Sequence, residues 1–200
     1  MTTTTNDPPA TVRFLFDPGC PWTWRTARLV REVRRQQPLT VEWGLYALEY
    51  INRANPDNPY LPLLRRNRLA LRLLEVARRQ GGEEAIDRLY EVLGTACHER
   101  GQDLGDRAVL QAALVEAGLS AALLDQAEAQ PEIDAELERQ YAAAEAQGAI
   151  ATPTLVVDGA APVYGPVIET VPEGAEAVAL WAAVRGLATR PYFFELKRPR

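Results

Sequence analysis

The spacing of apolar residues changes along this chain, and each change predicts an element. Residues 12–16 are a short run of β-branched and aromatic residues, followed by the turn sequence Asp17-Pro18-Gly19. Pro21 suits the first turn of a helix, and apolar positions between residues 24 and 33 repeat with helical spacing. Residues 40–45 are strand-like again. The chain therefore opens as strand, turn, helix and strand, with the two strands parallel and joined by a right-handed crossover.

Amphipathic helices fill the middle of the chain. A loop is predicted over residues 52–62, and helical spacing continues from there to Gly148. Gly81-Gly82 predicts a helix end, and Asp106, Ser120 and Pro131 predict the starts of later helices. One helix carries an apolar face at positions i, i+3, i+4, i+7 and i+11, formed by Ile86, Leu89, Tyr90, Leu93 and Cys97.

Strand character returns only near the end. Residues 154–157 and 162–164 flank Asp158-Gly159, a strong hairpin signal, and a last helix is predicted over residues 174–187. The order β-α-β, helical insert, β-β-α predicts an α/β protein, a thioredoxin fold interrupted by an all-helical insertion. We expect residues 11–50 and 150–196 to form the thioredoxin-fold core. Residues 61–148 would form the insertion as a cap, and residues 1–10 a flexible tail.

Composition and charge narrow the function classes. Hydrophobic residues make up 47% and charged residues 24% of the 200 residues, with a net charge of −5. No basic stripe favours nucleic acid or an anionic membrane, and no run approaches the about 18 apolar residues of a membrane span. The polar start of the chain does not resemble a signal peptide. Two cysteines and one histidine argue against a metal site and for a reducing, cytoplasmic setting.

Cys20 is the strongest candidate for chemistry. It follows a strand directly and stands at the first turn of a helix, where unpaired backbone N–H groups and the helix dipole stabilise a thiolate. Pro21 makes that turn rigid, and Trp22 offers a flat apolar surface beside the sulfur. The alternative is a buried structural cysteine. The coincidence of strand, turn, Cys-Pro and helix favours the reactive interpretation.

Several motifs resemble the DsbA family. They are Cys20-Pro21-Trp22, the helical insert and Ala151-Thr152-Pro153-Thr154. The resemblance is to the cytoplasmic branch, which includes mycothiol-dependent nitroreductases and 2-hydroxychromene-2-carboxylate isomerases. Phe16-Asp17-Pro18, Tyr164-Gly165-Pro166 and residues 191–198 are similar to the nitroreductase-like group.

The resemblance implies further site residues. Thr152-Pro153 would be the cis-proline loop facing the cysteine, and Asn52 matches an asparagine near the thiol cofactor. Together with Pro21, Trp22 and Tyr164, these residues are the predicted substrate-binding set. His98 is a catalytic candidate beside Cys20, and the alternative is a histidine that interacts with the C-terminal dipole of its helix.

The sequence departs from the family's redox members at Thr23, where they carry a second cysteine. A dithiol enzyme needs that cysteine to resolve a mixed disulfide. Cys97 is expected to be core, because it lies on the apolar face of an insert helix. Thr23 is therefore a catalytic candidate of another kind, whose hydroxyl would donate a hydrogen bond to the Cys20 thiolate.

Three functions remain open from the sequence. Cys20 could catalyse cis–trans isomerisation of a conjugated small molecule by reversible addition, which requires no cofactor. It could instead serve a monothiol reductase that uses mycothiol or another small thiol. The third alternative is a non-catalytic binder. We expect a small-molecule substrate in an apolar pocket beneath the cap, leave a homodimer open, and favour the isomerase.

Overall fold

The computed structural model describes residues 9–198 and contains one sheet with helices on both sides. The strands are β1 (Ala10–Phe16), β2 (Leu39–Leu45), β3 (Thr154–Val157) and β4 (Val163–Tyr164). The helices are α1 (Pro21–Gln36), α2 (Leu48–Asn52), α3 (Leu61–Arg66), α4 (Arg68–His98), α5 (Arg107–Glu116), α6 (Ala122–Ala129), α7 (Glu132–Ala146) and α8 (Gly174–Ala188). Within residues 9–198, no helix combines the length and the apolar character needed to cross a membrane.

The sheet has the strand order β2-β1-β3-β4. β1 and β2 are parallel, with Val12 opposite Val41, whereas β3 runs antiparallel to β1 and places Val157 opposite Val12. β4 is antiparallel to β3. Helices α3 to α7 all lie between β2 and β3 in the sequence, so the predicted thioredoxin fold with a helical insertion is confirmed.

Element boundaries differ from the prediction in a few places. Ala10 is buried and begins β1, so the predicted tail of residues 1–10 is wrong at its end; residues 1–8 lie outside the described residues. The loop predicted over residues 52–62 spans less, because Asn52 ends α2 and Leu61 begins α3. Gly82 breaks the helical conformation with φ 64° and ψ −156°, but α4 resumes at once. Glycine adopts this positive φ without the steric cost of a side chain.

An aromatic cluster joins the sheet to the insertion. Phe16 of β1 stacks on Tyr90 of α4 at 3.9 Å between ring centroids, and Trp43 meets both rings edge-on. The apolar face predicted on α4 is buried as expected from Ile86 to Leu93, and Cys97 packs against its edge. The second half of α4 thus covers the sheet close to the end of β1.

A buried ion pair crosses the same region. Arg31 of α1 is 5% exposed, and its Nη2 lies 2.7 Å from Oδ1 of Asp87 on α4. The guanidinium also lies over the rings of Trp43 and Tyr90, 4.5 Å and 5.1 Å from their centroids. Hydrogen bonds and aromatic faces thus replace water around this charge.

Gly94 lets α4 approach α1 closely, and its replacement by alanine should destabilise the fold. An added methyl group would overlap the six-membered ring of Trp24, which is itself buried. We expect Gly94→Ala to lower the free energy of unfolding by about 1–3 kcal/mol. Gly186→Ala is the matched control, since a methyl group there meets nothing within 4 Å and should be neutral or stabilising. Urea denaturation of both variants tests this, and equal losses would contradict it.

Candidate active site

Cys20 lies at the end of the short turn between β1 and α1. It is the N-cap residue of α1, its backbone N–H donates to the Asp17 carbonyl at 3.1 Å, and its carbonyl accepts from Trp24 N–H at 3.0 Å. The side chain is 6% exposed. Pro21, the first helical residue, is exposed, and Trp22 is half-buried beside it. The sulfur therefore sits at the positive end of a 16-residue helix, as the sequence predicted.

A cis-proline loop lies next to the sulfur. The Thr152–Pro153 peptide is cis, which confirms that expectation, and the Cys20 thiol donates to the Thr152 carbonyl with Sγ and O 3.9 Å apart. The Pro153 carbonyl accepts from Gly165 N–H at 2.8 Å. Tyr164 stands opposite Thr154 on the neighbouring strand and is 45% exposed. The structure thus brings Thr152 and Pro153 to Cys20, and it leaves Tyr164 exposed on the strand beside that loop.

A second cis peptide, Gly165–Pro166, follows Tyr164. The Thr26 hydroxyl of α1 donates to the Pro166 carbonyl at 2.6 Å. The motif Tyr164-Gly165-Pro166 belongs to the resemblance, and Tyr164 is the one residue of it predicted to bind substrate. In the structure this segment ties the end of β4 to α1, one turn beyond Trp22.

Thr23 does not act as predicted. Its side chain is fully buried, and its hydroxyl has no hydrogen-bond partner among residues 9–198, so the predicted bond to the Cys20 sulfur is not formed. The hydroxyls of Thr152 and Tyr90 are likewise buried without a partner in the described chain.

His98 contacts the loop before Cys20 instead of the sulfur. It is the last residue of α4, and its Nε2 lies 2.8 Å from the Pro18 carbonyl oxygen. Its ring stacks on Trp24 with centroids 6.1 Å apart. Burial lowers the pKa of His98, the Pro18 bond raises it, and the charge of Arg25 lowers it further. Its observed role is to hold the loop.

Asn52 is engaged within its own segment. Its Nδ2 donates to the Leu48 carbonyl at 2.7 Å, and its Oδ1 accepts from the Asn58 amide at 2.6 Å. Both polar groups are therefore used near the end of α2, and the structure gives Asn52 no contact with Cys20. The predicted role of Asn52 in binding stays a prediction.

Cys97 does not complete a redox pair. Cys20 and Cys97 are both free, and Cys97 is only partly buried against the core. Burial raises the pKa of the Cys97 thiol, with the charge of Asp17 adding to the effect. A raised thiol pKa reduces the thiolate fraction available for attack. Across residues 9–198 no cluster of histidine, cysteine and acidic side chains could hold a metal ion.

The sequence does not predict the roles of two residues that contact the Cys20 loop. Asn67 is buried before α4, and its amide covers Gly19 so closely that a Cβ at Gly19 would overlap it. Nothing in the local pattern marks Asn67, because the contact joins segments almost fifty positions apart. Asp17 belongs to two sequence signals, the turn before Cys20 and the motif Phe16-Asp17-Pro18, but neither predicts that its carboxylate is buried.

The buried side chain of Asp17 anchors the loop that precedes Cys20. Its side chain is 1% exposed and accepts from Gly19 N–H at 2.8 Å and from Leu48 N–H at 2.9 Å. It thereby connects the loop to the start of α2. Burial raises the pKa of Asp17 to about 6, although both hydrogen bonds act in the opposite direction.

We expect Asp17 to contribute to the pH dependence of the free energy of unfolding. The pKa of Asp17 is about 6 in the folded chain against 3.8 for the free group, so between these values the folded state binds more protons than the unfolded state. Its contribution to the free energy of unfolding therefore falls as pH rises, by roughly 3 kcal/mol in all. Asp17→Asn should lack this fall. Denaturation of both proteins at about pH 4 and about pH 8 measures it, and parallel pH profiles would contradict it.

Comparison with known proteins places this site in a family. A family model described as Rv2466c-like, mycothiol-dependent nitroreductase Rv2466c, matches residues 19–198. The uncharacterized protein Rv2286c of Mycobacterium tuberculosis (strain H37Rv) is 34% identical over 191 residues, which cover 95% of this chain and 82% of that protein.

Solved structures share the fold at lower identity. A 2-hydroxychromene-2-carboxylate isomerase gives a TM-score of 0.64 at 14% identity over 88% of this chain and 94% of that one. The cytosolic disulfide reductase DsbM from Pseudomonas aeruginosa with GSH gives 0.58 at 16% identity, over 88% and 100%. The probable DsbA oxidoreductase SCO1869 from Streptomyces coelicolor gives 0.60 at 17% identity, over 95% and 94%. These three likenesses concern the fold alone.

The family model spans nearly the whole chain and includes Cys20, Thr152 and Pro153, which the structure brings together. The chain therefore belongs to the Rv2466c-like, mycothiol-dependent nitroreductase family.

Proposed function

We propose that this protein is a thiolate-dependent enzyme that isomerises a conjugated small molecule with Cys20 as its nucleophile. The carrying observation is a thiol at the N-terminus of α1, against a cis-proline loop, with no second thiol in contact with it. Membership of the family supports thiol-dependent chemistry, and its members and structural neighbours include both oxidoreductases and an isomerase. A single thiol suffices for isomerisation because that reaction involves no net oxidation or reduction.

The reaction balances without a co-reactant. The Cys20 thiolate adds to the β-carbon of a cis-enone, and the electron pair of the double bond moves to the carbonyl oxygen as an enolate. The former double bond is now single and rotates. The enolate electrons then return, the carbon–sulfur bond breaks, and the trans-enone leaves with Cys20 restored as thiolate. First-turn N–H groups of α1 favour the thiolate at the start and end of this cycle.

A second candidate is a monothiol reductase, which the family match favours. The residues fit a small thiol such as mycothiol. Cys20 lies beside Thr152, whose buried hydroxyl has no partner among the described residues and could bond to a polar group of that thiol. When bound, such a thiol supplies the second sulfur that this chain lacks at position 23.

The experiment that separates the two candidates compares substrates. Purified protein is incubated with the methyl ester of cis-benzoylacrylate and, separately, with a glutathionylated peptide plus an excess of small thiol. We expect isomerised ester with no consumption of reducing equivalents. Reduction of the peptide with the ester returned unchanged would overturn the isomerase and support the reductase. Intact mass distinguishes a thioether adduct on Cys20 from a disulfide-linked thiol.

Thr23→Cys should convert the site toward dithiol chemistry. The side chain is buried and its hydroxyl makes no hydrogen bond within the described chain, so a thiol of similar size replaces it at little cost. Cysteine at position 23 restores the spacing that resolves mixed disulfides. We expect disulfide reductase activity at least about tenfold above that of the native protein. Native protein that is equally active in the same insulin-reduction assay would contradict this.

A further inference from the structure

Arg25 is an exception among the arginines of this chain. Nearly every arginine between residues 9 and 198 forms an ion pair with a carboxylate, including Arg28 and Arg31 on the same helix. The exceptions are Arg25, Arg190 and Arg198, which pair with no carboxylate in the described chain. Of these, only Arg25 belongs to α1, the helix that carries Cys20 at its start.

The position of Arg25 is fixed beside the site. Its guanidinium carbon lies 4.7 Å from the centroid of the Trp22 ring, two residues after Cys20. Arg25 is five positions after Cys20, which corresponds to about 7.5 Å along a helix axis. Arg25 is also close enough to act electrostatically on His98, whose ring contacts Pro18 in the Cys20 loop.

The carboxylates of Glu99 and Asp17 already have partners within the chain. Glu99, which follows His98, pairs with Arg28 at 3.4 Å and accepts a hydrogen bond from Trp24 Nε1 at 3.3 Å. Asp17 lies beneath the loop with both oxygens bonded to backbone N–H groups. Arg25 is half-buried, stacked on an aromatic face and unpaired within residues 9–198, although the chain as a whole is acidic. A planar guanidinium in this state is suited to binding a carboxylate from outside the protein.

We infer that Arg25 binds a carboxylate group of the substrate, so that the enzyme acts on conjugated acids in preference to their neutral esters. The inference rests on the proposed function for the reaction, but the binding of a carboxylate beside Cys20 does not depend on isomerisation. Trp22 provides the apolar surface between the two groups, on which the conjugated part of the substrate would lie.

Alkylation of Cys20 tests the anion site without any turnover. Iodoacetate and iodoacetamide have the same reactive carbon, but iodoacetate carries a carboxylate where iodoacetamide carries a neutral amide. Arg25→Met keeps an unbranched stem over Trp22 and removes the charge. We expect it to lower the rate ratio of iodoacetate to iodoacetamide at Cys20 about tenfold, because the charge-assisted hydrogen bonds to the carboxylate are lost. Arg25→Lys should retain most of the ratio.

The matched control is Arg28→Met. It removes the same charge three residues further along α1, where the guanidinium is paired with Glu99. It should change the ratio less than about twofold. An unchanged ratio in Arg25→Met, or an equal fall in Arg28→Met, would overturn the inference. Circular dichroism confirms that each variant is folded.

Turnover then assigns the carboxylate to the substrate. For cis-benzoylacrylate, Arg25→Met should lower kcat/KM about tenfold or more, while kcat/KM for the methyl ester stays within about twofold. Equal effects on acid and ester would overturn the assignment to the substrate. If neither compound is isomerised by the native protein, the proposed function fails, whereas the alkylation result still decides whether Arg25 binds a carboxylate.

Discussion

Cys20→Ser is expected to lower kcat/KM for isomerisation of the cis-benzoylacrylate ester by about a thousandfold or more. A serine hydroxyl stays protonated at neutral pH, and the one histidine cannot serve it as a base, because its Nε2 is bonded to the Pro18 carbonyl and not to the side chain at position 20. The change is small in volume, so the fold should be unaffected. Conversion followed by absorbance measures the loss.

Cys97→Ser is the matched control for this variant. Cys97 packs at the edge of the core as a free thiol, and its replacement should leave kcat/KM within about twofold. Comparable losses in both variants would mean that the assay reports thiol content in general. Full activity in Cys20→Ser would exclude Cys20 as the nucleophile and with it both covalent candidates.

Asp87→Ala is expected to give the largest loss of stability, about 3–5 kcal/mol in the free energy of unfolding. The substitution leaves the guanidinium of Arg31 charged and buried, since Asp87 provides its carboxylate partner at 2.7 Å. The rings of Trp43 and Tyr90, against which the guanidinium lies, offer no carboxylate to replace that partner. Urea denaturation at neutral pH measures the loss.

Glu84→Ala provides the comparison on the same helix. Glu84 pairs with Arg88 at 2.6 Å, but both side chains are largely exposed, and such pairs contribute less than about 1 kcal/mol. If Asp87→Ala cost no more than Glu84→Ala, the buried pair would not stabilise the native state. A double variant with Arg31→Met should recover part of the loss, because it removes the unpaired charge.

The fold could be predicted from the sequence because its signals are local. The apolar run of β1, the turn before Cys20 and the apolar face from Ile86 to Leu93 are each visible within a few residues, and the structure contains all of them. The short helix α2 was not predicted, because a five-residue helix contains too few turns to show a period. The first two residues of α3 were placed in the preceding loop, and the rest of α3 lies in the stretch predicted as helical.

The site could be predicted only in part. Cys20 is predicted by the chemistry of its own segment, and the cis peptide before Pro153 is predicted by the resemblance to the DsbA family. The burial of the Thr23 hydroxyl without a partner does not follow from the sequence, because a position in the first helical turn is compatible either with a hydrogen bond to the sulfur or with burial. Asn67 and the bond from His98 to Pro18 depend on how the insertion packs on the loop, which no local pattern encodes.

The strand order has a consequence for synthesis on the ribosome. β1 is a central strand, but its antiparallel neighbour β3 emerges about 140 residues after it, since Val12 pairs with Val157. Until then the nascent chain can pair β1 only with β2, and the other edge of an apolar strand stays open to wrong partners. The helices of the insertion are translated during this interval, and α4 can already cover one face of Phe16. Translation that pauses before residue 154 should therefore leave a partly folded chain whose main hazard is aggregation through the open edge of β1.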